Sequence, residues 1–154
     1  MLQELGRKLI DNHLSICSAE SLTGGLFASK LVEVSGISKS FKGSLVTYTN
    51  EVKINLLDVK KETINQYGAV SLECAYEMVK NVQKKFNTDI AVAFTGNAGP
   101  SESEGKPVGL VFVGLYFLGE VEVLELNLKG TREEIRNECV KTISNKILRK
   151  IENN

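Results

Sequence analysis

An uninterrupted apolar run from Ile90 to Phe94 constrains the fold of this chain more than any other segment. A continuous apolar run of strand length is typical of a strand that is covered on both faces of its sheet. Such a strand requires helices on both sides of the sheet. The run therefore predicts a sheet that lies between two helical layers.

The remaining apolar residues recur at spacings that alternate between helix and strand. Helical spacing predicts four helices, at residues 1–12, 24–34, 51–57 (with Asn50 as N-cap) and 71–86. Thr131 and Glu134 form a capping-box pattern that begins a fifth helix with the apolar stripe Ile135, Cys139, Ile143 and Ile147. Strands are predicted at 14–18, 41–48, 90–94, 108–118 and 121–128.

Gly119-Glu120 separates the last two strands and predicts a hairpin with a type II′ turn. Strands interleaved with helices, together with this hairpin, indicate the α/β class. We expect a three-layer α/β/α sandwich with a mixed, mostly parallel sheet and one C-terminal β-hairpin, formed by one domain over residues 1–154. The polar loop 101–106 is the only segment predicted to be mobile.

Composition excludes several classes of function. The chain has 19 basic and 19 acidic residues, so it lacks the positive excess of a general nucleic-acid-binding protein, although a local basic patch is still compatible with it. No apolar run reaches the length of a membrane span, and residues 1–12 are amphipathic rather than a signal peptide. We therefore expect a cytoplasmic protein that does not contact membranes.

The chain offers few metal-binding or thiol-based candidates. Its three cysteines, Cys17, Cys74 and Cys139, are far apart, lie in apolar patterns and are expected to pack in the core. The single histidine, His13, lies at the polar end of the first helix, where solvation is expected. A histidine-based triad and a histidine-rich metal site are therefore nearly excluded.

The segment from Ser18 to Gly25 lies where a predicted strand turns into a helix. Unpaired N–H groups at a helix start favour an anion or an oxyanion, and Gly24 and Gly25 allow close approach to the backbone. A capped helix start without a ligand explains the same residues equally simply.

Two further polar clusters follow predicted strands, at 48–53 and 95–100. Sites in α/β sheets form where strand carboxyl ends meet, so Ser21, Tyr48 and Lys53 can converge. A serine requires a base to become a nucleophile, and a Ser–Tyr–Lys group can supply one without histidine. The alternative is that Tyr48 is an amphipathic strand-end residue and Lys53 a solvated lysine.

The glycine-rich cluster 95–100 can hold a phosphate or carboxylate on its backbone N–H groups, or it can be a plain turn. It matches neither the Walker A nor the dinucleotide-binding fingerprint. Arg132 and Arg136 share one face at a helix start, where cations are unfavourable. An anionic ligand, Glu133, Glu134 or a neighbouring subunit would compensate.

Five motifs in this order resemble the C-terminal domain of the CinA (competence/damage-inducible) family, which includes stand-alone NMN deamidases. They are Ala19-Glu20-Ser21-x-Thr23-Gly24-Gly25, Tyr48-x-Asn50-x-x-Lys53, Tyr67-Gly68-Ala69-Val70-Ser71, Thr95-Gly96-x-Ala98-Gly99-Pro100 and Lys106-Pro107-Val108-Gly109. Larger family members carry a further molybdopterin-binding-like domain, whose activity is not expected of these residues.

The resemblance implies hydrolysis of the carboxamide of nicotinamide mononucleotide (NMN) to nicotinate mononucleotide and ammonia, a step of the pyridine nucleotide cycle. It implies Ser21 as nucleophile, with Tyr48 and Lys53 as its partners. It implies a homo-oligomer, a dimer or higher, and neither a metal nor another cofactor. The expected substrate-binding residues are Thr23, Gly24, Gly25, Thr95, Gly96, Asn97, Ala98 and Gly99, with Arg132 and Arg136 as further candidates.

Three positions depart from the family pattern: Leu22, Asn97, and the Ser101–Glu104 segment that replaces a glycine-rich continuation. They leave open a non-catalytic, regulatory nucleotide-binding module. Hydrolysis of a different small amide by the same residues is a third possibility.

Overall fold

A five-stranded sheet lies between two layers of helices in the computed structural model, which describes residues 2–154. The strands are β1 (Ile16–Glu20), β2 (Phe41–Val46), β3 (Ile90–Gly96), β4 (Leu110–Phe117) and β5 (Glu120–Asn127). The helices are α1 (Leu2–Asp11), α2 (Leu26–Leu31), α3 (Asn50–Asn55), α4 (Lys61–Tyr67), α5 (Leu72–Phe86) and α6 (Arg132–Glu152), and a 3-10 turn covers Ile37–Lys39.

The sheet has the strand order β2-β1-β3-β4-β5. β1 pairs in parallel with both β2 and β3, whereas β4 is antiparallel to β3 and to β5. Only β4 therefore runs against the other four strands, which confirms the mixed, mostly parallel sheet with a C-terminal hairpin. The carboxyl ends of β1, β2 and β3 consequently lie at one edge.

The central strand β3 is covered on both faces, as its apolar run predicted. Val92 and Phe94 pack in a core with α1, α2 and α6, while Ala91 and Ala93 pack in a second core with α4 and α5. Phe94 also contacts Phe27, with ring centroids 5.8 Å apart. The alternation of β3 side chains between two cores produces the three layers.

Several boundaries differ from the sequence predictions. α3 begins at Asn50, and its N-cap is Thr49, whose hydroxyl accepts from the N–H of Val52. The first strand is shifted to Ile16–Glu20, and the helix expected over 24–34 is shorter. Short α4 and the 3-10 turn were not predicted, because neither spans enough turns to establish a periodicity.

The hairpin turn is also of a different type. Leu118 and Gly119, not Gly119 and Glu120, lie between the strands, and both have positive φ, 46° and 98°. Positive φ at both central positions belongs to a type I′ turn, which matches the twist of the flanking strands. The predicted type II′ turn is therefore wrong by one residue and by type.

The cysteines and the histidine lie as expected. All three cysteines are buried and unpaired, and burial raises the pKa of Cys17 to about 11 and those of Cys74 and Cys139 to about 12. They therefore remain thiols within the core. His13 is exposed, and Thr131 and Glu134 form the predicted capping box.

Neither a membrane span nor a metal-ligand cluster is found in the part of the chain that the structure describes. Across residues 2–154, no helix is long and apolar enough to cross a bilayer. The same residues contain no group of three or more His, Cys, Asp or Glu side chains that could hold a metal ion.

Candidate active site

A cleft of about 570 Å³ opens where the carboxyl ends of β1, β2 and β3 meet. Backbone hydrogen bonds join the three ends: the N–H of Ser21 donates to the carbonyl of Phe94, and that of Thr47 to the carbonyl of Glu20. Nine of the residues predicted for the site line this cleft: Ser21, Tyr48, Lys53, Thr95, Gly96, Asn97, Ala98, Gly99 and Arg132.

Ser21 and Lys53 are in direct contact within this cleft. The amine Nζ of Lys53 lies 2.8 Å from Oγ of Ser21 and 3.2 Å from the carbonyl oxygen of Tyr48. The hydroxyl of Ser21 in turn lies 3.4 Å from that carbonyl. Lys53 reaches this position because Thr49 caps α3 and begins the helix beside the end of β2.

Lys53 is buried without a counter-ion. Its exposed fraction is 2%, and no carboxylate of residues 2–154 forms an ion pair with it. Burial lowers the pKa of Lys53, and the influence of Cys74 and Glu104 offsets only part of this effect. A neutral amine beside a hydroxyl can act as its general base.

The phenol of Tyr48 does not contact Ser21. Its side chain is 56% exposed, and its hydroxyl accepts from Nη2 of Arg132 at 3.0 Å. Tyr48 contributes to the Ser21–Lys53 pair through its carbonyl instead, since the strand end directs that carbonyl to the amine and the ring to the cleft mouth. A role of the phenol in proton transfer remains a prediction.

The N-terminus of α2 is already occupied by a carboxylate of the chain itself. The fully buried Glu20 accepts from the N–H groups of Phe27 and Ala28, both at 3.0 Å, and from the hydroxyls of Ser18 and Ser44. The expectation that these helix-start amides serve as an anion site is therefore wrong. Glu20 instead fixes the turn that carries Ser21.

The N–H of Leu22, which lines the cleft, is the remaining candidate for an oxyanion donor. It donates to no acceptor among residues 2–154. The amide that follows a nucleophilic serine is the usual donor in such sites.

The other predicted residues of this turn are Thr23, Gly24 and Gly25, whose part in substrate binding stays a prediction. Thr23, Gly24 and Gly25 do not line the cleft, and the hydroxyl of Thr23 is buried without a hydrogen-bond partner among the described residues. Gly24 and Gly25 adopt positive φ, 57° and 99°, which the tight turn into α2 requires.

The turn after β3 is shaped by contacts within the protein. The hydroxyl of Thr95 donates to the carbonyl of Ala69 at 2.7 Å, and the amide oxygen of Asn97 accepts from the N–H of Gly99 at 3.1 Å. Asn97 also donates to the carbonyl of Lys106. Asn97, which departs from the family pattern, thus stabilises the turn after β3 through its side-chain hydrogen bonds.

The two arginines at the start of α6 have different environments. Arg132 lines the cleft and donates to the carbonyl of Gly99 and to Tyr48. Arg136 donates to the carbonyls of Leu22 and Thr23, at 2.9 and 2.8 Å, and does not line the cleft. Arg132 is therefore the candidate for an anionic ligand, and Arg136 supports the Ser21 turn.

Sequence reasoning missed the contributions of Glu20, Glu104 and Lys106. Glu20 belongs to the first family motif, but its burial within β1 and its contacts with Phe27 and Ala28 are visible only in the structure. Glu104 and Lys106 connect the 101–106 loop to residues 67–70 through hydrogen bonds, and the mobility of this loop stays a prediction. No local sequence signal predicted this long-range contact.

The fold and site define a three-layer α/β domain with a serine–lysine pair at the carboxyl edge of its sheet. The chain belongs to the CinA C-terminal domain family, whose model matches residues 1–151. The family resemblance of the sequence motifs is thereby confirmed.

Relatives and solved structures agree with this assignment. A Clostridium kluyveri protein named as competence-damage inducible is 49% identical over 98% of this chain, and a CinA-like protein of Dictyoglomus thermophilum is 53% identical over 80% of it. The chain spans only 37% and 30% of these two relatives.

Crystal structures with the same fold cover nearly the whole chain. A CinA superfamily protein from Klebsiella pneumoniae has a TM-score of 0.95 at 30% identity, with 99% of this chain and 96% of that chain covered. The competence/damage inducible protein CihA from Agrobacterium tumefaciens has a TM-score of 0.89 at 37% identity, with 98% and 95% covered.

Proposed function

We propose that this protein hydrolyses the carboxamide of NMN to nicotinate mononucleotide and ammonia. The observation that carries the proposal is the 2.8 Å contact between Lys53 Nζ and Ser21 Oγ, in which the lysine is buried and forms no ion pair with a carboxylate of residues 2–154. Amide hydrolysis requires an activated nucleophile, a proton donor for the leaving nitrogen and donors for the oxyanion. The cleft supplies a candidate for each.

The proposed reaction has two halves. Neutral Lys53 accepts the Ser21 proton as Oγ attacks the carboxamide carbon, and the N–H of Leu22 stabilises the oxyanion. Lys53 then gives the proton to the leaving nitrogen, so ammonia departs and an acyl ester remains on Ser21. A water molecule attacks this ester with the same assistance, which releases the nicotinate and restores the hydroxyl.

The phosphate of the substrate is assigned to Arg132 and the 95–100 turn. Arg132 lines the cleft and is the arginine of the α6 pair that faces it. A guanidinium binds phosphate through two parallel hydrogen bonds, which suits a phosphorylated rather than a free nicotinamide. This assignment is the basis of the substrate preference that we propose.

Two alternatives remain as rivals. A non-catalytic nucleotide-binding module would bind its ligand at the same 95–100 turn. Asn97 favours this alternative because it departs from the family pattern and forms hydrogen bonds with Gly99 and Lys106. Hydrolysis of another small amide would retain Ser21 and Lys53 but not the phosphate site.

Ammonia release from NMN, nicotinamide riboside and nicotinamide distinguishes these functions. We expect turnover of the nucleotide and a much smaller kcat/KM for the two compounds without phosphate. Tight binding of NMN by calorimetry without ammonia release would favour the binding module. Equal turnover of all three compounds would contradict the phosphate assignment.

A further inference from the structure

Two segments in the family motifs, Tyr67–Ser71 and Lys106–Gly109, have no part in the proposed chemistry. The structure brings them together through the loop 101–106. Ala69, Val70 and Glu104 line the same cleft as Ser21 and Lys53. The contact between the two segments therefore shapes one side of the site.

Glu104 contacts the backbone of residues 69 and 70 with both carboxylate oxygens. One oxygen accepts from the N–H of Ala69 at 2.8 Å, and the other accepts from the N–H of Val70 at 3.0 Å. Partial burial raises the pKa of Glu104, but these two donors and Lys106 outweigh it, so the pKa lies below its ordinary value. The carboxylate is thus charged at neutral pH.

Lys106 contacts the same backbone segment from its carbonyl side. Its amine donates to the carbonyls of Tyr67 (2.6 Å) and Val70, and lies 3.4 Å from the Glu104 carboxylate. Glu104 and Lys106 together therefore satisfy two N–H groups and two carbonyls of residues 67–70. We name this set of contacts the Glu104–Lys106 clamp.

Two glycines make the clamp sterically possible. A Cβ on Gly68 would lie 2.5 Å from the Glu104 carboxylate and 2.9 Å from the Lys106 amine, and Gly68 has a φ of 83°. Gly105, with a φ of 69°, completes the turn that places Glu104 and Lys106 on the same target. The sequence thus leaves space for these two side chains.

We propose that Glu104 and Lys106 are positioning residues that fix residues 67–71 as one wall of the cleft containing Ser21 and Lys53. Glu104 lies where the family resemblance predicts a glycine-rich continuation, so this carboxylate replaces flexible backbone with a charged anchor. Without this carboxylate, the N–H groups of Ala69 and Val70 would lose their acceptors, and the wall would be held less firmly beside Thr95, whose hydroxyl donates to the carbonyl of Ala69. The consequence for turnover rests on the proposed function, whereas the clamp itself does not.

Amide hydrogen exchange at Ala69 and Val70 tests the clamp independently of activity. We expect Glu104→Gln and Lys106→Met to accelerate exchange at both amides at least about tenfold. The first variant removes the charged acceptor of both amides, and the second removes the charged donor that holds the carbonyls of Tyr67 and Val70. The control Glu102→Gln lies in the same loop, is exposed and makes no side-chain hydrogen bond within residues 2–154. It should leave both rates unchanged.

Steady-state kinetics with NMN test the positioning role. In both clamp variants we expect kcat to fall about tenfold through misplacement of the cleft wall, with little change in melting temperature. The double variant should be no worse than either single variant, and Lys106→Arg should restore part of the rate.

Unchanged exchange at Ala69 and Val70 in both single variants would overturn the clamp. Faster exchange with an unchanged kcat would overturn its role in positioning. If the unmodified protein releases no ammonia from NMN, the proposed function fails, and the positioning role is then tested by the affinity for NMN, measured by calorimetry. We expect this affinity to be weaker in both variants. An affinity equal to that of the unmodified protein would overturn the positioning role.

Discussion

Lys53 and Ser21 lie 32 positions apart in the sequence, yet the lysine amine is 2.8 Å from the serine oxygen. The amine is buried, and its second partner is the Tyr48 carbonyl rather than an acid. A histidine triad uses an imidazole as base and a carboxylate to orient it. In the mechanism that we propose, burial of Lys53 supplies the basicity, and the Tyr48 carbonyl orients the amine.

The pH dependence of turnover follows from the state of Lys53. Burial lowers the pKa of Lys53 below 10.5, and only the neutral amine can accept the Ser21 proton. We expect kcat/KM for NMN to rise with pH through a single ionisation with an apparent pKa below 10.5, because the inactive, protonated form dominates below it. A rate that falls as pH increases through this range would contradict Lys53 as the base.

Glu20→Gln tests whether the buried carboxylate fixes the nucleophile turn. Glutamine keeps the size of the side chain but replaces one acceptor oxygen with a donor, which opposes the N–H groups of Phe27 and Ala28. We expect the free energy of unfolding to fall by about 2 kcal/mol, as for other charged hydrogen bonds. Denaturant unfolding measures this change, and Glu33→Gln, at an exposed position in the turn after α2, is the control.

Arg132→Met and Arg136→Met separate substrate binding from support of the fold. Arg132 lines the cleft, so its loss should raise KM for NMN by about 10- to 100-fold, the value of a charged hydrogen bond. Arg136 contacts two carbonyls of the Ser21 turn, so its loss should lower stability and kcat more than affinity. A KM effect confined to Arg136→Met would reverse the assignment.

Tyr48→Phe distinguishes two roles for the phenol. Because its hydroxyl contacts Arg132 and not Ser21, we expect KM for NMN to rise by several-fold and kcat to fall less than tenfold. The main-chain carbonyl that accepts from Lys53 is retained in this variant. A loss of kcat of about 100-fold or more at unchanged KM would place the phenol in proton transfer.

Much of the fold could be predicted because its elements carry long, consistent patterns. The apolar run at 90–94 identified a strand covered on both faces, and Ser71 and Thr131 identified two helix starts that the structure confirms. Shorter elements were missed or misplaced. The hairpin turn shifted to Leu118 and Gly119 because a leucine with positive φ has no sequence signature.

The site was predictable to the level of which strand ends meet, but not to the level of side-chain contacts. Parallel strands bring residues 21, 48 and 95 to one edge regardless of detail. The direction of the backbone at each turn decides whether the carbonyl or the phenol of Tyr48 contacts Lys53. It also decides which group accepts from the N–H groups at the start of α2. The partners of Glu20 and Glu104 lie up to 35 residues away, beyond the reach of local periodicity.

Ammonia release from NMN by the unmodified protein and by Ser21→Ala tests the central claim most directly. Ser29→Ala is the matched control, because Ser29 is exposed on α2 and outside the cleft. We expect turnover by the unmodified protein and by Ser29→Ala, and a loss of at least about 1,000-fold in kcat for Ser21→Ala with NMN binding retained. Turnover by Ser21→Ala at the rate of the unmodified protein would contradict Ser21 as the nucleophile.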